Sequence, residues 1–178
     1  KDVTAQTTNN RYPKNGRIRS YAPAHKAHAK QISRAASLLL RARKPIIYTG
    51  GGVVLSGAAK QLTTLVERLG HPCTNTLMGL GALASDHPKF LGMLGMHGTA
   101  YANKAVVGCD LIMSVGGRWD DRITGKLSEF CPDAKKIHVD IDPAEYGKVI
   151  VPDVFIEGDA RHVLEDLTEL VDRVDTDS

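Results

Sequence analysis

The strongest constraint on this chain's fold is a series of short segments that are apolar along their whole length, each separated from the next by a helix-like stretch. "PIIYTGGG" from Pro45 is of this kind, and "LIMSVGG" (111–117), "KKIHVDI" (135–141) and "VFIEGD" (154–159) are three more strand candidates with polar or glycine-rich ends. "PCTNTLMG" from Pro72 reads as a further strand and turn, and residues 89–94 as a short additional strand. A strand facing solvent on one side alternates polar with apolar residues. These do not, so both faces are covered, and helical crossovers make the sheet parallel.

The intervening segments carry helical spacing. Ile32, Ala35, Ala36 and Leu39 fall at i, i+3, i+4 and i+7, which predicts an amphipathic helix over 28–42. Leu62, Leu65, Val66 and Leu69 repeat the spacing, with Gly70 as a stop. Ala100–Gly108 reads as a helix with Ala102, Ala105 and Val106 on one face. A last helix is expected from Asp159 to about Val171, turning Val163, Leu164, Leu167 and Leu170 inward.

Composition narrows the classes. With 178 residues, 42% of them hydrophobic, the chain suffices for one domain with a real core but not for two comfortable ones. No run approaches eighteen apolar residues, so no membrane span is expected. The net charge of +3 comes from interspersed signs, without the basic face and stacking aromatics of a nucleic-acid binder. Cys73, Cys109 and Cys131 are odd in number and widely spaced and form no CxxC, which favours reduced thiols in a cytosol-like compartment and gives no zinc site. Residues 1–27 are polar and without period, and the chain starts at Lys1 with no signal-like segment. They read as a linker from an upstream domain, 28–173 as the domain, and 174–178 as the start of a second linker.

In a parallel α/β sheet, ligands sit beyond the carboxyl ends of the strands. Four clusters lie there. Thr49-Gly50-Gly51-Gly52 follows a strand, and its backbone N–H groups suit a diphosphate, or it is a tight structural turn. GxGxxG would need glycine at Leu55, and a P-loop would need Lys-Ser or Lys-Thr at Ala58-Ala59. In "GMLGMHGTAYANKAV" (92–106), glycine at 95 and 98 removes Cβ atoms beside Met96 and His97, leaving bare backbone for a flat ligand, and Thr99 is an N-cap. Met96 as core filler and His97 as an ordinary loop residue are the plainer readings, and no acid or nucleophile adjoins His97.

In the third cluster, Gly116-Gly117-Arg118-Trp119-Asp120-Asp121-Arg122, two arginines could hold phosphate oxygens or simply pair with the aspartates. In the fourth, "VDIDPAEYGK", Asp142 before Pro143 is a helix cap, which leaves Asp140 as the ribose-hydroxyl acceptor. Asp159 in "EGDA" is either a further contact or another cap. Four such clusters on one sheet edge favour nucleotide binding.

"GGG", "TLMGLGA", "LGMLGMHGTAYAN", "DDRITGKL" and "VDIDPAEYGK", in this order and spacing, resemble the middle domain of the acetohydroxyacid synthase (acetolactate synthase) large-subunit family, from about Arg19 onward. The resemblance implies an α/β, Rossmann-like fold: a six-stranded parallel sheet with helices on both faces that binds FAD without net redox chemistry. By motif match, FAD contacts would fall on Arg19, Gly50, Gly51, Gly52, Thr76, Leu77, Met78, Met96, His97, Gly98, Thr99, Gly116, Arg118, Arg122, Asp140, Ile141, Gly158 and Asp159.

The same resemblance implies a cytoplasmic enzyme that uses thiamine diphosphate and magnesium. It decarboxylates pyruvate and joins the two-carbon fragment to pyruvate or 2-ketobutyrate, towards branched-chain amino acids. Its catalytic subunits pair as a homodimer or tetramer with a regulatory subunit, and its catalytic glutamate and metal motif belong to N- and C-terminal domains. This stretch alone would then be inactive, with no catalytic residue and no metal ligand. Trp119 replaces the family's usual phenylalanine, and Gly117 a position that often carries a side chain. A flavin-free structural middle domain is the alternative, against which the two arginines argue. A sirtuin-type NAD-consuming enzyme would need a cysteine set that is missing.

Overall fold

The computed structural model describes residues 4–7, 9 and 23–176; Arg19, most of the 1–27 stretch and residues 177–178 lie outside the described residues. The helices are α1 (Ala29–Arg41), α2 (Gly51–Leu55), α3 (Ala59–Leu69), α4 (Ala100–Val107), α5 (Asp121–Thr124) and α6 (Ala160–Thr176). The strands are β1 (Pro45–Thr49), β2 (Cys73–Asn75), β3 (Phe90–Met93), β4 (Leu111–Val115), β5 (Lys135–Asp140) and β6 (Val154–Glu157). All six pair in parallel in the order β3-β2-β1-β4-β5-β6. This is the strand order of doubly wound dinucleotide-binding sheets, with its direction of winding reversing between β1 and β4.

The period of two along each strand sorts the core into two layers. Ile47, Met113, Ile137, Val139 and Ile156 pack on the apolar stripes of α1, α3 and α6. Ile46, Tyr48 and Ile112 pack on the other side, against Ala102 and Val106 of α4 and against Trp119 and Phe130. Each fully buried leucine or isoleucine contributes about 1.5–3 kcal/mol relative to exposure, so these two layers hold the sheet edge in place.

Four differences from the sequence reading bear on the site. The glycine run does not end in a plain turn: Gly51 and Gly52 begin α2, and Gly57, at φ +65, separates it from α3. The one-turn helix α5 has no apolar period to announce it and is started by Asp120, whose carboxylate accepts from the Arg122 N–H. The last helix runs on to Thr176 rather than stopping near Val171, through residues expected to open a linker. At the other end, the His25 carbonyl accepts from the Asp159 N–H at 3.2 Å and Ala27 packs on the core, so the end of the expected leading linker is seated at the start of α6.

Candidate functional site

β1 and β4 pair from Pro45 opposite Leu111 to Thr49 opposite Val115, so the glycines that follow both strands emerge side by side. The Gly50 N–H donates to the Val115 carbonyl at 2.9 Å, the Gly52 N–H to Gly116 at 3.0 Å, and the Gly116 N–H to Val139 at 2.8 Å. A Cβ on Gly50 would stand 2.2 Å from the Gly116 oxygen, and one on Gly52 2.7 Å from the Gly116 Cα. Gly116 has φ +61, a left-handed angle that favours glycine. The close approach expected between glycine and ligand is thus first an approach of the chain to itself.

Two clefts open on this edge. The larger, about 470 Å³, lies over β1, β2 and β3 and is lined by Gly50, Gly51, Thr76, Leu77, Met78, Met96, His97, Arg118 and Arg122 from the sequence-predicted set. The smaller, about 380 Å³, lies over β4, β5 and β6 and takes in Gly52, Gly116, Arg118, Asp140, Ile141, Gly158 and Asp159. Arg118 lines both. Both volumes fall in the range of small-molecule sites.

The larger cleft is apolar at its mouth. Leu77, Met78 and Met96 are 68%, 74% and 65% exposed, so Met96 is not core filler. The Met96 N–H donates to the Arg122 carbonyl at 3.1 Å, which ties the methionine-histidine loop to α5. Arg118 stands 3.8 Å from Asp120, and Arg122 3.8 Å from Asp121. These separations exceed hydrogen-bond range. The arginines are held near their aspartates without being saturated by them, and their side chains are about 70% exposed.

The smaller cleft is acidic on one side. The Asp140 carboxylate accepts the Asp142 N–H at 2.9 Å, and Asp142 in turn accepts from Ala144, as a cap of the Pro143–Glu145 turn does. The Asp159 carboxylate accepts the Arg161 N–H at 3.0 Å at the start of α6, so the capping role read from "EGDA" is present whatever else this residue does.

Gly98 and Thr99 line neither cleft. A Cβ on Gly98 would lie 2.3 Å from the Met93 oxygen and 2.5 Å from the Leu94 carbonyl carbon, and its φ is not left-handed. Packing of the loop on β3 by itself requires glycine there, independently of any ligand. Thr99 accepts from the Ala102 N–H at 3.2 Å as the cap of α4 and donates to the Leu91 carbonyl at 2.9 Å.

The sequence reading missed Leu55 and Ser56, which enter the smaller cleft one helical turn beyond the glycines, and Met93, Leu94 and Ile123 in the larger. It also missed the layer underneath, where Tyr48, Ser114, Trp119 and His138 are fully buried. Burial, reinforced by Asp120, pushes the Tyr48 phenol well above its ordinary value and keeps it neutral. Among the described residues no group of histidines, cysteines and carboxylates could hold a metal ion, and no helix is long and apolar enough to cross a membrane.

Comparison with known proteins adds a family. Residues 32–167 match the family described as thiamine pyrophosphate enzyme, central domain. The acetolactate synthase large subunit of Buchnera aphidicola subsp. Schizaphis graminum is 45% identical over 173 residues, covering 96% of this chain and 30% of that protein. The isozyme 3 large subunit of Escherichia coli K12 is 46% identical over 160 residues, 90% of this chain and 28% of that protein. A probable acetolactate synthase large subunit of Methanocaldococcus jannaschii is 49% identical over 147 residues, 83% and 25% respectively. The chain spans 25–30% of the length of these relatives.

Proposed function

Because the chain belongs to the thiamine pyrophosphate enzyme central-domain family, we propose that it is the FAD-binding domain of an acetolactate synthase, holding the cofactor across both clefts. The observation that carries this reading is Arg118 at the junction of an apolar cleft and an acidic one, on the winding reversal of the sheet. A dinucleotide has that sequence of parts: a flat ring, a diphosphate, then a ribose and base. The exposed Leu77, Met78 and Met96 suit the ring, with Arg122 beside it in the larger cleft; Arg118 at the junction suits the diphosphate oxygens, and Asp140 the ribose hydroxyls.

On this reading the whole enzyme is a cytoplasmic carboligase. It decarboxylates pyruvate and joins the fragment to pyruvate or 2-ketobutyrate, with thiamine diphosphate and magnesium held by the N- and C-terminal domains and a regulatory subunit alongside a dimer or tetramer. The chain itself supplies no carboligation centre and is inactive alone. The flavin-free alternative leaves two loosely paired arginines facing the clefts without an anion to hold.

The test is calorimetric titration of the chain with FAD, FMN and NAD, alongside its absorbance spectrum after incubation with FAD. FAD should bind tightest and leave a flavin spectrum after desalting. FMN binding as tightly as FAD would remove the adenosine half from the reading, and no flavin binding at all would favour the structural alternative.

A further inference from the structure

The turn that carries Arg118 is fastened from below at one atom. The Gly117 carbonyl oxygen accepts from His138 Nε2–H at 2.8 Å and from the Ser114 hydroxyl at 3.2 Å. Asp140 Oδ2 is 3.7 Å from the same imidazole nitrogen, too far to compete, and a carbonyl only accepts, so Nε2 carries the hydrogen. The imidazole has no exposed surface and is set edge-on between Trp119 and Phe155, with ring centres at 5.6 and 5.5 Å. Trp119 has φ 54, and from this left-handed position its ring is buried at 1% exposure while Arg118 and Asp120 on either side face the larger cleft.

A trans peptide is planar, so its carbonyl and the following N–H point in opposite directions. No peptide among the described residues is cis. Drawing the Gly117 oxygen down onto His138 therefore turns the Arg118 N–H up, away from the core and towards the cleft edge. We propose that His138 is the positioning residue of the anion site, orienting the Gly117–Arg118 peptide so that the Arg118 N–H and guanidinium face the junction of the clefts together. The inference rests on the reading that these clefts take a diphosphate, and it assigns that site a buried residue of β5, two strands across the sheet from the β1 glycine run.

The test compares ADP with adenosine, which differ by the diphosphate alone, on the wild-type chain and on His138→Gln, His138→Asn and His138→Phe. The glutamine amide can reproduce Nε2–H; the asparagine amide stops short of it, and phenylalanine has no donor. ADP affinity should fall about tenfold or more in the Asn and Phe variants, stay within about threefold in the Gln variant, and adenosine affinity should hold in all three, since one charge-oriented hydrogen-bond group is at stake. Trp119, the chain's single tryptophan, gives a second readout without ligand: its emission should shift to longer wavelength in the Asn and Phe variants and not in the Gln variant. Equal ADP affinities across the set, or equal losses in Gln and Phe, would overturn the proposal. A wild-type chain that binds ADP no better than adenosine would sink the diphosphate reading instead, and unmoved Trp119 emission in the Asn and Phe variants would then overturn the role of His138 as well.

Discussion

The place a Cβ would occupy on Gly50 lies 2.2 Å from the carbonyl oxygen of Gly116, and both neighbours in that contact are backbone. No flexible side chain can swing aside, so even one methyl group must push apart the ends of β1 and β4. Gly50→Ala should therefore lower stability by roughly 1–3 kcal/mol, the usual cost of overpacking, with no ligand present. Urea titration of the variant and parent measures it. An alanine variant as stable as its parent would mean that the two strand ends are not held this closely.

Gly98→Ala is expected to behave in the same way for a different contact. Its new Cβ would meet the Met93 oxygen at 2.3 Å and the Leu94 backbone at 2.5 and 2.6 Å. Since φ at this residue is not left-handed, the loss comes from crowding and not from backbone angle. The ligand-free protein should melt at lower temperature with alanine and lower still with valine. A full loss of flavin binding in either variant at unchanged melting temperature would support the ligand-path explanation.

How far the sequence could lead is clear from such residues. The stripes of α1, α3 and α6 and the uniformly apolar strands are local patterns, and α1 ends within a residue of the expected helix at both ends. Gly70 stops α3 at φ +66 as its position suggested. The strand ends also announced most of the cleft lining, because in a parallel sheet polar and glycine-rich residues at one edge have few other uses. Part of what stayed hidden depends on partners far along the chain. His138 reaches Gly117 across 21 residues, and its role as a fastener cannot be read from "KKIHVDI". The crowding of Gly98 against Met93 and Leu94 is close in sequence but exists only in the folded loop, so its motif could not announce it.

Acid should weaken the fold through His71. Burial first, and Lys89 second, lower its pKa from 6.5 to about 4 in the folded chain. Between those values the unfolded chain binds a proton that the folded chain refuses, so stability rises with pH across that window and is lost as pH falls from about 6.5 towards 4. Denaturant titrations at pH 4.5, 5.5, 6.5 and 7.5 should show the slope, and His71→Gln should flatten it. An unaltered slope in that variant would assign the acid sensitivity to other groups.

Burial should keep the three thiols slow to react in the native protein, Cys73 most of all, while the contact with Cys109 holds the Cys131 thiol below its ordinary value. Cys73, Cys109 and Cys131 are all buried, and burial pushes the Cys73 thiol up to about 12, far from the thiolate form that reacts. At pH 8 an aromatic disulfide reagent should release almost no chromophore from folded protein and three equivalents after denaturation. Rapid release from the native chain would contradict the packing of both core layers.

Arg118 and Arg122 are separable because only the former lines both clefts. If the diphosphate sits at the junction, Arg118→Ala removes a bidentate charged donor from the part of the cofactor shared by FAD and ADP. Affinity for both should drop about tenfold to a hundredfold, the range for a hydrogen bond to a charged group. Arg122 faces the larger cleft alone, so Arg122→Ala should weaken FAD while leaving ADP within about threefold, the scatter expected of a residue that is not in contact. Arg118→Lys keeps the charge but loses the planar fork, and should recover only part of the loss. Both side chains are mostly exposed, so each effect should shrink as salt rises. Calorimetric titrations of FAD and ADP at low and high salt with the three variants give the full pattern. Equal losses of ADP affinity from Arg118→Ala and Arg122→Ala would place the diphosphate in the larger cleft, and no loss from either would remove the arginines from the site.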